Sequence, residues 1–122
     1  MYIKKIEGNE IGTTRLEYGD PPMGVAAGRV ILSKPEGFFE FLVQYLQERG
    51  IQTTILEIDE KLIATMVIPE LRVYREDAFE ISGLGANIEG TEGDGYEIAI
   101  LGIPCPLYEK EFAHHVAKYR EI

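Results

Sequence analysis

Between Gly50 and Gly102 the sequence breaks into short apolar stretches, "IQTTILEI", "KLIATMVI", "LRVYRED", "FEISGLGANIEG" and "YEIAILGI". Each has the length of a single strand, and the first three are joined only through Asp59-Glu60 and Pro69-Glu70. Parallel neighbours need a crossover of a dozen or more residues, so links this short demand antiparallel pairing. The first three stretches are therefore expected to form a meander. The last, apolar at alternate and intervening positions alike, is expected at the centre of the sheet, where both faces are covered.

Upstream, "MYIKKIE" and "IGTTRLEY" alternate as strands do around an "EGNE" turn, and "VAAGRVIL" resumes the pattern after "GDPPMG". Pro21 and Pro22 cannot donate to a ladder, and Gly19 and Gly24 allow tight turns, so that segment reads as a loop. Ser33-Lys34-Pro35-Glu36 then matches the S-x-x-E capping box with proline in the first turn, and Gly50 provides a C-terminal cap. Between them Phe38, Phe39, Leu42, Val43, Tyr45 and Leu46 share one broad face, opposite Glu40, Gln44, Gln47 and Glu48. This predicts a long helix over about 34–49, with an apolar arc wide enough to join two copies of the chain. A second helix is expected over about 106–120. The fold class that follows is α+β, a single curved and mostly antiparallel sheet packed by these two helices in one domain, 1–122.

Composition narrows the possible functions. A net charge of -9 and a pI near 4.7 disfavour nucleic acid and anionic membrane surfaces. No apolar run approaches the roughly 20 residues a membrane helix needs. The basic pair at Lys4-Lys5 with no long apolar stretch behind it does not match a secretory signal, and a lone cysteine precludes an internal disulfide, so the expected location is a reducing cytoplasm.

The last 21 residues hold Cys105, His114 and His115, the sequence's only cysteine and histidines. On a helical wheel Tyr108, Phe112, Val116 and Tyr119 share a face with His115 at its edge, and His114 falls across the cylinder. Helical metal ligands are spaced three or four apart, not adjacent, and Cys105 is roughly 15 Å of helical rise from His115. Packing is thus the expected role, with Cys105 a small buried group and His115 bordering the core. No catalytic residue, metal site or cofactor motif is predicted. The Gly83-Leu84-Gly85 start lacks the third glycine of a dinucleotide fingerprint, since Ile88 stands there, and Glu89, Glu92 and Asp94 would repel a phosphate. Arg72 and Arg75, an odd distance apart on a strand, should point to opposite faces.

Two functional expectations remain. From Glu76 to Glu109 the chain carries eight acids and no lysine or arginine. Such one-signed charge suits a non-enzymatic binding module, an inhibitor or immunity-like regulator, that meets a basic protein through Glu89, Glu92, Asp94 and Glu97. The alternative is a small-molecule-binding or enzymatic domain. It would use either the irregular loop with Tyr18, Asp20, Met23 and Arg29, or an aromatic pocket between sheet and long helix lined by some of Tyr18, Phe38, Tyr45, Tyr74 and Tyr96.

Overall fold

The computed structural model describes residues 2–6 and 8–120. Met1 and Glu7 of the expected first strand, and residues 121–122 of the domain, lie outside the described residues. The strands are β1 (Tyr2–Ile6), β2 (Asn9–Thr14), β3 (Tyr18–Asp20), β4 (Val25–Leu32), β5 (Thr53–Glu57), β6 (Leu62–Thr65), β7 (Leu71–Arg75), β8 (Gly85–Thr91) and β9 (Gly95–Leu101). They form one open, antiparallel sheet in the order β5-β6-β8-β9-β4-β2-β1-β7, with β3 also paired to β4. With its helices the molecule is α+β.

The curvature comes from β4. Its first half pairs with β9 on one side and β3 on the other, and its last three residues pair with β2. β2 and β3 thus lie along the same edge of β4, separated by a break where "IGTTRLEY" was expected to run straight. Leu16 makes the break, with φ +47 and a wholly buried side chain, its N–H donating to Thr14 Oγ1 at 3.2 Å. Gly28 of β4 lies beneath it. A Cβ there would stand 2.6 Å from Thr14 Oγ1 and 2.7 Å from the Leu16 nitrogen.

β9 is central, as its sequence predicts, with Tyr96, Ile98 and Ile100 buried. The meander, however, stops after β5 and β6. Instead of joining β6, β7 crosses to the far end of the sheet and pairs with β1, Lys4 opposite Val73 and Ile6 opposite Leu71. The sheet curls far enough for the five-residue link before β7 to make that passage, and Ile68 N–H donates to the Ala86 carbonyl on the way.

Helix α1 (Phe38–Arg49) starts later than 34, and the capping box does not form. Ser33 is held as the end of a strand: its N–H donates to the Ile11 carbonyl and its hydroxyl to Glu10. Gly37 at φ +76 caps the helix instead, with no side-chain cap bond. The other end is as expected, since Gly50 at φ +66 donates to the Gln47 carbonyl and Ile51 to that of Leu46. Phe38, Phe39, Leu42, Tyr45 and Leu46 are buried against the sheet. At about 1.5–3 kcal/mol for each large side chain taken from water, this face anchors the helix.

The C-terminal helix divides into α2 (Leu107–Glu111) and α3 (Ala113–Arg120). At the joint Phe112 leaves helical geometry, φ -121 and ψ 46, with its ring completely buried. The kink lets Tyr108, Phe112 and His115 enter the core together. Phe112 stacks on His115 at 4.9 Å and packs against Tyr2 of β1 at 5.9 Å. No helix among the described residues is long and apolar enough to cross a membrane.

Candidate functional site

Of Cys105, His114 and His115, only His115 packs into the core, and the other two are exposed. His115 is buried, its Nε2 2.8 Å from the Leu16 carbonyl oxygen and its Nδ1 2.9 Å from the Tyr108 hydroxyl. Burial holds its pKa below the usual imidazole value. The His114 ring lies closer than a helical wheel suggests, 4.1 Å from His115, but both His115 nitrogens are already engaged. Cys105 was expected to be buried and is exposed, because it precedes α2 and never reaches the core. Its thiol donates to Glu109 at 2.9 Å, and that carboxylate pushes the thiol pKa up, away from the thiolate a nucleophile requires. Among the described residues no three His, Cys, Asp or Glu groups converge in a metal-holding arrangement.

Gly83 and Gly85 serve close packing. A Cβ on Gly83 would meet the Leu101 carbonyl and one on Gly85 the Val67 side chain, and β8 follows, not a helix. Arg72 and Arg75 take separate partners, Glu80 for the first, Asp77 and Glu111 for the second.

What the fold does assemble is an acidic field on the outer face of the sheet. Alternation turns Ile88, Ile98 and Tyr96 inward and Glu89 and Glu97 outward. The register then lines up Ala64, Glu89, Glu97 and Arg29 across β6, β8, β9 and β4. The next row is Asn87, Ala99, Ala27 and Tyr18. Glu89 therefore stands directly opposite Glu97, a like-charge pair that costs roughly 0.2–1 kcal/mol in an antiparallel ladder. The Tyr18 hydroxyl donates to Glu97, and Glu17 accepts the Arg29 backbone N–H at 3.3 Å. Burial, the bond to Glu97 and the charges of Glu97, Glu17 and Glu89 raise the Tyr18 phenol to about 12.

The predicted residues thus divide. Glu89 and Glu97 come together with Tyr18 and Arg29, which the sequence had assigned to a different site. Glu92 sits at the hairpin tip in an ion pair with Lys61 at 2.7 Å, and Lys61 also binds Glu40 of α1. The Asp94 N–H donates to Thr91 Oγ1 at 2.8 Å and its carbonyl accepts from Arg29. Asp20 ends β3, where its charge adds to burial in raising the Tyr108 phenol, and Met23 is 68% exposed in the turn that follows. Between sheet and helix, Phe38 meets Tyr96 edge to face at 5.0 Å and the Tyr45 hydroxyl donates to Glu70, so these aromatics spend their surfaces on one another and on the core. Tyr74 is half-buried on β7 and Tyr18 lies on the outer face.

Sequence reading missed Glu17, which lies outside the base-free stretch and reaches the field only because the chain breaks at Leu16. No family model matches the chain, and no curated protein or solved structure resembles it.

Proposed function

We propose that this protein is a non-enzymatic binding module that receives a basic partner on the outer face of its sheet, through Glu17, Glu89 and Glu97 with Tyr18 beside them. The observation that carries this reading is the cross-strand pairing of Glu89 with Glu97. A ladder position that sets two carboxylates face to face is unfavourable for the isolated fold and favourable once a cation bridges them. Glu92 and Asp94 belong to the rim, where they add to the field that steers a positive surface inward. The unpaired, exposed Cys105 supports a reducing compartment such as the cytoplasm.

The test is calorimetric titration with a decalysine peptide, comparing the native chain with the Glu89→Gln/Glu97→Gln double variant at low and moderate salt. The expected result is salt-sensitive binding that weakens about tenfold or more in the variant, at unchanged or slightly raised stability. Equal affinity of the two proteins for the peptide would overturn the assignment of the face. An exposed control, Glu48→Gln/Glu76→Gln, places the same charge change on α1 and in the turn after β7, and should leave most of the affinity intact.

A further inference from the structure

The two ends of the sheet are finished differently. Along β7 the free edge is covered by the segment that follows it: Ile81 N–H donates to the Val73 carbonyl, Arg75 N–H to that of Phe79, and Tyr74 bridges Glu80. At the other end β5 pairs with β6 alone, and no described residue bonds to its outward side. It has neither proline nor lysine to blunt that edge, and its one irregularity, a register shift between Thr53 and Ile55, leaves Ile55, Leu56 and Glu57 in regular register with β6. Its apolar side chains are also unusually open, with Ile55 at 46%, Leu56 at 37% and the following Ile58 at 58% exposure.

Beside this edge runs a groove of about 340 Å³ between α1 and β5, lined by Val43, Leu46, Gln47, Ile51, Leu56 and Ile63. The register explains why the groove is apolar. Leu56 lies opposite the fully buried Ile63 on the inner face, whereas Ile55 lies opposite Ala64, which continues outward to Glu89. A strand laid against β5 would place alternate side chains in two environments, one apolar beneath α1 and one next to Glu57 on the acidic outer side. Asp59 and Glu60 extend that negative charge, and the neighbouring Lys61 is already committed to Glu40 and Glu92.

We infer that β5 and the α1–β5 groove form a strand-addition site for an extended segment of another chain in which apolar and basic residues alternate. The main-chain ladder supplies affinity, the groove selects apolar side chains at every second position, and Glu57 with its neighbours selects the charge of the others. A second copy of this chain is the wrong occupant, since it would bring another -9 of net charge and its own Glu57, Asp59 and Glu60 to the same place. The inference rests on the proposed function only for the sign of the partner's charge; the open edge and groove stand without it.

The probe is the acetylated, amidated heptapeptide Val-Lys-Val-Lys-Val-Lys-Val, titrated into isotope-labelled protein and followed by amide NMR and hydrogen exchange. The expected result is saturable binding with slowed exchange of amides within Thr53–Glu57 and shifts at Val43 and Leu46. The same peptide N-methylated at alternate residues, which leaves the protein untouched, should bind at least about tenfold more weakly, because ladder hydrogen bonds are lost. The Val-Glu counterpart should not bind. The exposed variant Glu57→Lys should weaken the lysine peptide while leaving the fold intact. Shifts confined to Glu17, Glu89 and Glu97, with no protection in β5, would overturn strand addition while leaving the outer-face reading standing. Protection of β5 that grows with protein concentration in the absence of peptide would overturn it in favour of self-pairing. Equal binding of the N-methylated peptide would overturn it too.

Discussion

Lys4 is the residue whose surroundings depart most from its chemistry. It is completely buried on β1, between Gly12 and Val73 in register, and its ammonium nitrogen has no hydrogen-bond partner among the described residues. Burial pulls its pKa down from 10.5 to about 7. The unfolded chain holds that proton up to about pH 10.5 and the folded chain releases it near pH 7, so stability rises with pH across this window and the full penalty applies below it. Lys4→Met keeps the length and removes the amine. It should stabilise the fold at pH 6 by on the order of 4 kcal/mol and flatten the slope of stability between pH 7 and 9.5, read by urea denaturation of both proteins. His115 acts in the same direction at lower pH. Its folded pKa is depressed, so the unfolded chain takes up a proton first as pH falls through about 6.5, and stability is lost there. His115→Gln should remove that part of the acid sensitivity between pH 7 and 5, at a packing cost seen at every pH. The sequence contained a signal for Lys4, since alternation sets it on the same face as Tyr2 and Ile6, but a lysine among apolar positions ordinarily reaches water. Nothing in the composition says that β7 will close over it.

At the level of elements, local patterns were legible where local forces decide the outcome. The apolar face of α1 and the Gly50 cap follow from helical period and from a position needing φ above zero, and both stand in the fold. The Ser33 capping box failed because the same residue is required by β4 and β2, whose hydrogen bonds take priority over a cap. The kink between α2 and α3 was hidden for a similar reason: the periodicity of Tyr108, Phe112 and Val116 describes a continuous helix, and the break answers to the space available beside Tyr2 and Leu16. Phe112→Ala should therefore cost about 3–5 kcal/mol, the range for emptying a buried aromatic site, and should loosen α3 from the sheet. Thermal unfolding gives the first, and hydrogen exchange in α3 the second. Strand pairing beyond adjacent hairpins was the least legible feature, because the sheet's curl, set by the break at Leu16 and the close approach at Gly28, decides that β7 meets β1. The same curl brings Glu17 to Glu89 and Glu97, so half of the candidate face was readable as an acidic stretch and half only from the fold.

For the whole molecule, a net charge of -9 on 122 residues means self-repulsion, relieved locally by ion pairs such as Lys61 with Glu40 and Glu92. Added salt screens the repulsion over the range of the Debye length and should raise the unfolding free energy, read by urea denaturation, by less than about 1 kcal/mol between 10 and 150 mM. The Glu89→Gln/Glu97→Gln variant should show a smaller gain, because it has already shed the worst cross-strand contact. One feature of the architecture also governs stoichiometry. With the Phe79–Ile81 segment lying over β7, the sheet has a growing end and a terminated end, like a polymer capped on one side. Two copies joined through β5 would therefore have no second edge of their own to offer. A protein with two open ends risks indefinite head-to-tail extension into fibres, whereas with β7 covered an edge-to-edge contact between copies can only close as a pair.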